Sequence, residues 1–246
     1  MKATPDDQRR LLDLQALDST LDRLAHRRRT LPEIARADEL GQRFTGLRDA
    51  IITAETDRSD LQREQRKAEG DVEQVRTRST RDRERLDSGA VASPKELESL
   101  QSEIASLQRR QSELEDAELE VMERLEQAET RIAELTTGHD SVAGELASVE
   151  AERDKGFAEI DAETEHTAGE RSQTAATIPD DLLQLYEKLR RQHGGVGAAP
   201  LVHGRCEGCH LTLNPGDLGR VRAAAEDEVV RCEECRRILV RVGQSG

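Results

Sequence analysis

Residues 97–149 read LESLQSEIASLQRRQSELEDAELEVMERLEQAETRIAELTTGHDSVAGELASV, and mostly apolar residues recur in them at alternating spacings of three and four. These positions are Leu97, Leu100, Ile104, Leu107, Gln111, Leu114, Glu118, Val121, Leu125, Ala128, Ile132, Leu135, His139, Val142, Leu146 and Val149. On an α-helix this spacing makes one narrow stripe, which is the seam of a coiled coil. The stretch therefore predicts a long helix that winds around a partner helix.

A second array with the same spacing lies upstream and supplies the partner. Its positions are Leu40, Phe44, Leu47, Ile51, Ala54, Arg58, Leu61, Gln65, Ala68, Val72 and Val75, and the register continues to Leu86. Between the arrays, residues 87–93 contain the glycine and small residues of a turn. Ser93, Pro94 and Glu96 then supply a helix N-cap, a first-turn proline and a capping glutamate. The two arrays predict an antiparallel helical hairpin with its tip at about 87–93.

A shorter array at the start of the chain has its own register, in Leu14, Leu17, Leu21, Leu24, Arg28 and Leu31. It stops at Pro32, which has no backbone donor and clashes with the preceding helical turn. We therefore expect a kink near Pro32. Composition agrees with a mainly α chain without a large globular core, since only Phe44, Phe157 and Tyr186 are aromatic and 36% of residues are charged.

The only cysteines in the 246 residues form two Cys-x-x-Cys pairs, Cys206 with Cys209 and Cys232 with Cys235. Each pair lets a tight turn direct two sulfurs at one point, and two such turns complete the tetrahedral shell of a structural Zn²⁺. Another metal, an iron–sulfur cluster, a redox dithiol or disulfides are the alternatives. The N-terminus has no apolar signal-peptide core, so we expect a cytoplasmic protein with reduced thiols and one structural zinc.

Sequence around the cysteines predicts a zinc ribbon. Residues 200–203 and 228–231 are short strand patterns that lead into the two turns, and a third begins at Ile238. Asn214 and Pro215 predict the start of a helix between them. Gly208 is expected to take the positive φ that such a turn needs. His203 and His210 flank the first turn and are predicted to be surface residues, because the cysteines already complete the metal shell.

Charge divides the chain at the predicted domain boundary. Residues 1–177 form the predicted hairpin domain and carry the whole net charge of −14, whereas residues 178–246, a linker helix and the ribbon, are neutral. An acidic hairpin repels nucleic acid and membrane surfaces, but the ribbon has basic side chains that could contact phosphates or a partner. These candidate partner-binding residues are Arg205, Arg220, Arg222, Arg231, Arg236, Arg237 and Arg241.

The order of these segments resembles a known family. The hairpin, the tip motif at 91–104, the linker helix at 178–190 and the tetracysteine ribbon together resemble the bacterial C4-type zinc ribbon proteins with an N-terminal coiled-coil hairpin. The resemblance implies a non-enzymatic adaptor, with RNA, transcription or secretion components suggested as partners of some members. Two positions depart from the family pattern. Arg236 follows the last cysteine where glycine is frequent, and the tip lacks the usual asparagine and aromatic residue.

Motifs of catalysis are absent from the sequence. It contains no glycine-rich phosphate loop, no nucleophile elbow and no acidic metal cluster on a strand. We therefore expect a non-enzymatic zinc-ribbon and coiled-coil adaptor, with a regulatory role, that binds a protein or RNA partner and no membrane. The alternative is a protein that binds RNA or DNA directly through the ribbon arginines. A monomer and a homo-oligomer are both compatible with the seam pattern.

Overall fold

The computed structural model describes residues 1–91 and 93–242. The helices are α1 (Pro5–Arg29), α2 (Pro32–Asp87), α3 (Pro94–Ala175), α4 (Asp180–Gln192) and α5 (Pro215–Ala223). The strands are β1 (Ala198–Val202), β2 (Arg205–Cys206), β3 (Leu211–Thr212), β4 (Val230–Arg231) and β5 (Ile238–Arg241). The predicted fold class, a mainly α chain with a long antiparallel coiled-coil hairpin followed by a small ribbon of short strands and one helix, is confirmed.

Two compact units make up the described chain. One contains Met1–Ala35 together with the described residues from Glu150 onward, and the other contains Arg36–Val149. We call them the ribbon unit and the coiled-coil unit. The first unit thus contains α1 and the end of α3 in addition to the ribbon. The predicted domain boundary at residue 178 concerns which parts of the chain fold independently, and it stays a prediction. No helix in the described ranges has an apolar stretch long enough to cross a membrane.

The coiled-coil unit follows the predicted seam closely. Every predicted position from Leu40 to Leu86 and from Leu100 to Val149 is buried or half-buried. Leu97 is the exception, because its side chain is 38% exposed. It lies in the first turn of α3 and forms the last layer of the seam, so other layers cover it from one direction only. Ala92, in the predicted tip, lies outside the described residues.

Side-chain pairs set the antiparallel register within this unit. The rings of Phe44 and His139 lie with their centroids 4.3 Å apart, so the predicted polar seam residue His139 is packed on an aromatic ring. Arg124 forms an ion pair with Glu64 at 3.2 Å. Around the Phe44 layer, the apolar cluster consists of Ala37, Leu40, Leu47, Val142, Leu146 and Val149.

The ribbon unit is built on a sheet with strand order β3-β2-β1-β5-β4. Strands β1 and β5 are parallel, and their register pairs Ala198 with Ile238 and Leu201 with Arg241. The N-terminus joins this unit, since Ala3 N donates to Asp227 O at 2.8 Å and Val229 N donates to Met1 O at 3.1 Å. Strand β1 begins two residues before the predicted strand, and the predicted strand at 228–231 is shortened to β4, because its first residues pair with the N-terminus instead.

Helix α1 closes one face of this sheet together with α4. The break that ends α1 lies at residues 30–31, directly before Pro32. Within the break, the side chain of Leu31 packs over Gly156, where an added Cβ would lie 3.0 Å from the leucine side chain. The apolar core shared by α1, α4 and the sheet contains Leu11, Leu14, Ile178, Leu182, Tyr186, Leu189, Ala198, Ile238 and Val240.

A truncation in the seam tests the coiled-coil unit. Leu40 is 4% exposed, so we expect Leu40→Ala to lower the free energy of unfolding by about 2–3 kcal/mol through lost burial and a residual cavity. Leu119→Ala is the matched control, because Leu119 is 56% exposed and its truncation should cost less than about 0.5 kcal/mol. Urea unfolding followed by circular dichroism measures both. Equal losses of unfolding free energy in the two variants would contradict the assignment of Leu40 to the buried seam.

Candidate metal centre and its surroundings

The two Cys-x-x-Cys turns have the same backbone geometry. In the first, His210 N donates to Cys206 O at 2.7 Å, and in the second, Arg236 N donates to Cys232 O at 2.8 Å. The residue after each second cysteine takes a left-handed conformation, with φ of 61° at His210 and 63° at Arg236. Each chain reversal therefore ends just beyond the second cysteine, and Arg236 adopts the conformation that glycine would take more easily.

The prediction of a positive φ at Gly208 is wrong, because the left-handed residue of that turn is His210. Glycine is required at 208 for a different reason. A Cβ at this position would lie 2.9 Å from both Ala199 Cβ and Arg237 Cδ. The first turn can therefore pack against β1 and the second turn only if residue 208 has no side chain.

The four sulfurs have the geometry of a closed metal site. All four Sγ atoms lie within 4.8 Å of one another, and the Cys206–Cys235 and Cys209–Cys232 pairs are separated by 3.8 and 3.9 Å. A tetrahedron with Zn–S bonds of about 2.3 Å has edges of about 3.8 Å, so the residues fit zinc. The same distances are far beyond the S–S bond of about 2.05 Å, and the cysteines are free thiols.

Burial shapes the chemistry of these thiols. Cys206 and Cys232 are fully buried, beside an apolar cluster that contains Ala199, Leu213, Val221 and Leu239. Burial raises the pKa of Cys206 to about 12, against the opposing effect of hydrogen bonds from the backbone of Cys209 and Gly208, and burial also raises the pKa of Cys232. Zinc binds thiolates, so metal binding at this site must release protons and supplies free energy of folding.

Arg237 ties the metal centre to the end of α4. Its guanidinium donates to His193 O at 2.9 Å, to Val196 O at 3.0 Å and to Gly208 O at 2.9 Å. The side chain is half-buried, and the three carbonyls belong to the first cysteine turn and to the segment between α4 and β1. This arginine, which the sequence assigned to partner binding, therefore holds the two cysteine turns and the linker together.

Arg241 also bonds backbone carbonyls, at the end of α5 and in the loop that follows it. Its guanidinium donates to a group of backbone carbonyls, with distances from 2.8 to 3.4 Å, at Val221, Ala224, Ala225, Glu226 and Glu228. The last carbonyls of a helix have no partner inside the helix and attract cations. Arg241 thus closes α5 and the loop that leads to β4.

The other predicted arginines are exposed and fall into two groups. Arg205 Nε donates to His210 O at 3.1 Å and lies 3.8 Å from Glu207, Arg220 pairs with Asp217, and Arg236 pairs with Glu233 at 3.0 Å. Arg222 and Arg231 have no ion-pair partner within the part of the chain that the structure describes. His203 and His210, which we predicted to be surface residues, are also exposed, and His210 Nδ1 lies 3.4 Å from Glu207.

Sequence reasoning missed a buried polar network beside the ribbon. Gln15 Oε1 accepts from Gly197 N at 2.8 Å, and Gln15 Nε2 donates to Gly195 O at 2.9 Å. Tyr186 donates its hydroxyl to Asp18 Oδ2 at 2.7 Å. Burial raises the pKa of Tyr186, with a further contribution from Asp18, so the hydroxyl stays neutral and acts as a donor. Tyr186, the only tyrosine, was the one signal in the sequence for this site.

Asp18 is the centre of the charges in this network. Its side chain is 2% exposed and accepts from Arg171 Nε at 2.9 Å, while Arg190 Nε lies 3.3 Å away. Arg190 also bonds Asp22 at 2.8 Å, and Arg171 pairs with Glu187. The network therefore connects α1 to the C-terminal part of α3 and to α4 through one buried carboxylate.

Metal content tests the assignment of ligands. We expect one zinc per chain in the purified protein, and a Cys209→Ser variant should lose zinc to a chelator far more readily because one thiolate ligand is gone. His210→Asn is the matched control, since it removes the neighbouring imidazole and asparagine tolerates the left-handed conformation at this position. Zinc release is measured with a chromogenic chelator. Equal loss of zinc in both variants would contradict a four-cysteine shell.

Comparison with known proteins places this architecture in a family. A CT398-like coiled coil hairpin domain matches residues 14–194, and a C4-type zinc ribbon domain matches residues 205–239. An uncharacterized protein of Mycobacterium tuberculosis is 38% identical over 242 residues, which are 98% of each chain.

Solved structures agree with the family match. A structure from Mycobacterium smegmatis has a TM-score of 0.85 and 38% identity, and the match covers 98% of this chain and all of that one. The structure of CT398 from Chlamydia trachomatis has a TM-score of 0.73 at 22% identity, over 96% and 98% of the two chains, and shares the fold. The chain belongs to the family of proteins with a CT398-like coiled-coil hairpin domain and a C4-type zinc ribbon domain.

Proposed function

We propose that the protein is a non-enzymatic adaptor of the cytoplasm that binds a partner macromolecule through its zinc ribbon and coiled coil. The observation that carries the proposal is the cluster of four cysteine sulfurs within 4.8 Å of one another, which together would fill a tetrahedral zinc shell. A catalytic zinc keeps one position for water or substrate, whereas a closed site serves folding. The metal then shapes a binding surface and takes no part in a reaction.

The distribution of hydrogen bonds in the ribbon unit supports the same proposal. Arg237 and Arg241 donate to backbone carbonyls, and Asp18 is surrounded by arginines and a tyrosine hydroxyl. These polar groups are engaged in holding elements together. A general acid or base must instead face a substrate within hydrogen-bond reach.

A protein partner has more support than a nucleic acid. Direct binding of RNA or DNA through the predicted arginines needs several cations free to contact phosphates. Arg237 and Arg241 are engaged with carbonyls, and Arg220 and Arg236 lie next to carboxylates. The exposed arginines Arg222 and Arg231 remain as the strongest phosphate-binding candidates, so the nucleic-acid alternative rests on few side chains.

Affinity capture from lysate tests the proposal. Wild-type protein and a Cys206→Ser/Cys209→Ser variant are used as baits in nuclease-treated and untreated lysate. We expect the same specific proteins to be retained with and without nuclease and to be lost with the variant, because its ribbon cannot hold metal. Capture that disappears after nuclease treatment would favour direct nucleic-acid binding. Hydrolysis of nucleotides or phosphodiesters by the pure protein, abolished by one substitution, would contradict a non-enzymatic role.

A further inference from the structure

A cleft of about 680 Å³ opens in the ribbon unit, away from the cysteine sulfurs. Its walls are the start of α1, the turn between β1 and β2, the C-terminal half of α5 and the end of β5. The cysteines do not line it. Val221 and Leu218 pack in the apolar cluster beside the sulfurs on one side and line the cleft on the other, where they can contact another molecule.

The inner surface of the cleft is aliphatic. Val240 and Val221 are 1% and 7% exposed, and Leu201 and Leu218 are half-buried around them. The two valines form the floor of the cleft, and the half-buried Leu201 and Leu218 leave apolar area that a branched aliphatic side chain can cover. Among the described lining residues, the imidazole of His203 is the only aromatic ring, and none of them is Phe, Tyr or Trp, so the cleft offers little surface on which nucleic-acid bases could stack.

Cations surround this aliphatic surface. Arg9, Arg222 and Arg241 line the cleft, and Glu226 is the one carboxylate among its lining residues. Arg9 forms an ion pair with Asp6, and Arg241 donates its hydrogen bonds to backbone carbonyls. Arg222, by contrast, is exposed and has no ion-pair partner among the described residues. In a chain with a net charge of −14 this is a local excess of positive charge, and it favours an anionic ligand.

A buried amide adds a hydrogen-bonding group to the lining. Gln8 is 2% exposed, and its Nε2 donates to Ala3 O at 2.9 Å and to Glu226 O at 3.1 Å. These two bonds fix the carboxamide. Its Oε1 takes no hydrogen bond from the described side chains and backbone, so it can accept one from a ligand N–H. Peptide backbones supply such N–H groups.

We propose that this cleft binds a short linear segment of a partner protein in which an aliphatic side chain adjoins an acidic one. The aliphatic side chain lies against Leu201 and Leu218. The carboxylate pairs with Arg222, and a backbone N–H of the segment donates to Gln8. This inference rests on the proposed adaptor function and gives it a binding site and a ligand chemistry.

Titration of the full-length, zinc-loaded, ¹⁵N-labelled protein tests the proposal. The probe is the peptide acetyl-Gly-Leu-Glu-Leu-Glu-Gly-amide, and the comparison peptide has lysine in place of glutamate. We expect the acidic peptide to shift the amide resonances of residues 201–204 and 218–226, and the lysine peptide to leave them unchanged. Arg222→Gln should weaken the binding of the acidic peptide about tenfold, since it removes a charge-assisted hydrogen bond.

Arg231→Gln is the matched control. It removes the same charge from another exposed ribbon arginine that does not line the cleft, so the affinity for the acidic peptide should change less than about twofold. Equal weakening by both variants, equal binding of both peptides, or binding of an oligouridylate in place of the peptide would each overturn the proposal. Lysate capture that persists in Arg222→Gln would overturn the cleft assignment alone, whereas a wild-type bait that retains no protein would overturn the adaptor function itself.

Discussion

The ribbon unit depends on the convergence of four cysteine sulfurs at one point. Strands of two to five residues cannot hold a sheet by their own hydrogen bonds, and the apolar cluster beside the sulfurs is small. A metal cross-link between the two cysteine turns supplies the missing free energy of folding. Arg237 extends this constraint, because its guanidinium joins both turns to the carbonyls of His193 and Val196 after α4.

The polar network around Asp18 then fixes α1 on α4 in one arrangement. A buried carboxylate is costly to desolvate, and here two arginines and the Tyr186 hydroxyl compensate that cost. Gln15 bonds the same short loop that Arg237 holds, at Gly195 and Gly197. The metal centre and α1 are thus connected through the same loop between α4 and β1, and the aliphatic cleft at the start of α1 lies in the same unit.

Local patterns explain what the sequence could predict. The spacing of apolar residues specified both arms of the coiled coil, and the Cys-x-x-Cys pairs specified the metal ligands, because each signal lies within a few helical turns or one tight turn. Arg237 and Arg241 bond carbonyls that only the folded chain brings close to them. Their structural roles therefore could not be predicted from the residues next to them in the sequence. The same holds for Met1 and Ala3, whose hydrogen bonds reach residues near Glu228. Leu97 shows that a periodic position at the end of a seam need not be buried.

Hydrogen exchange with and without a zinc chelator tests most directly whether the metal centre, α1 and α4 form one cooperative body. We expect zinc removal to accelerate amide exchange in α1 and α4 as well as in the ribbon strands, while residues 61–135 of the coiled-coil unit keep their protection. Acceleration confined to residues 198–241 would contradict it, and would instead support a ribbon that folds independently of the helices.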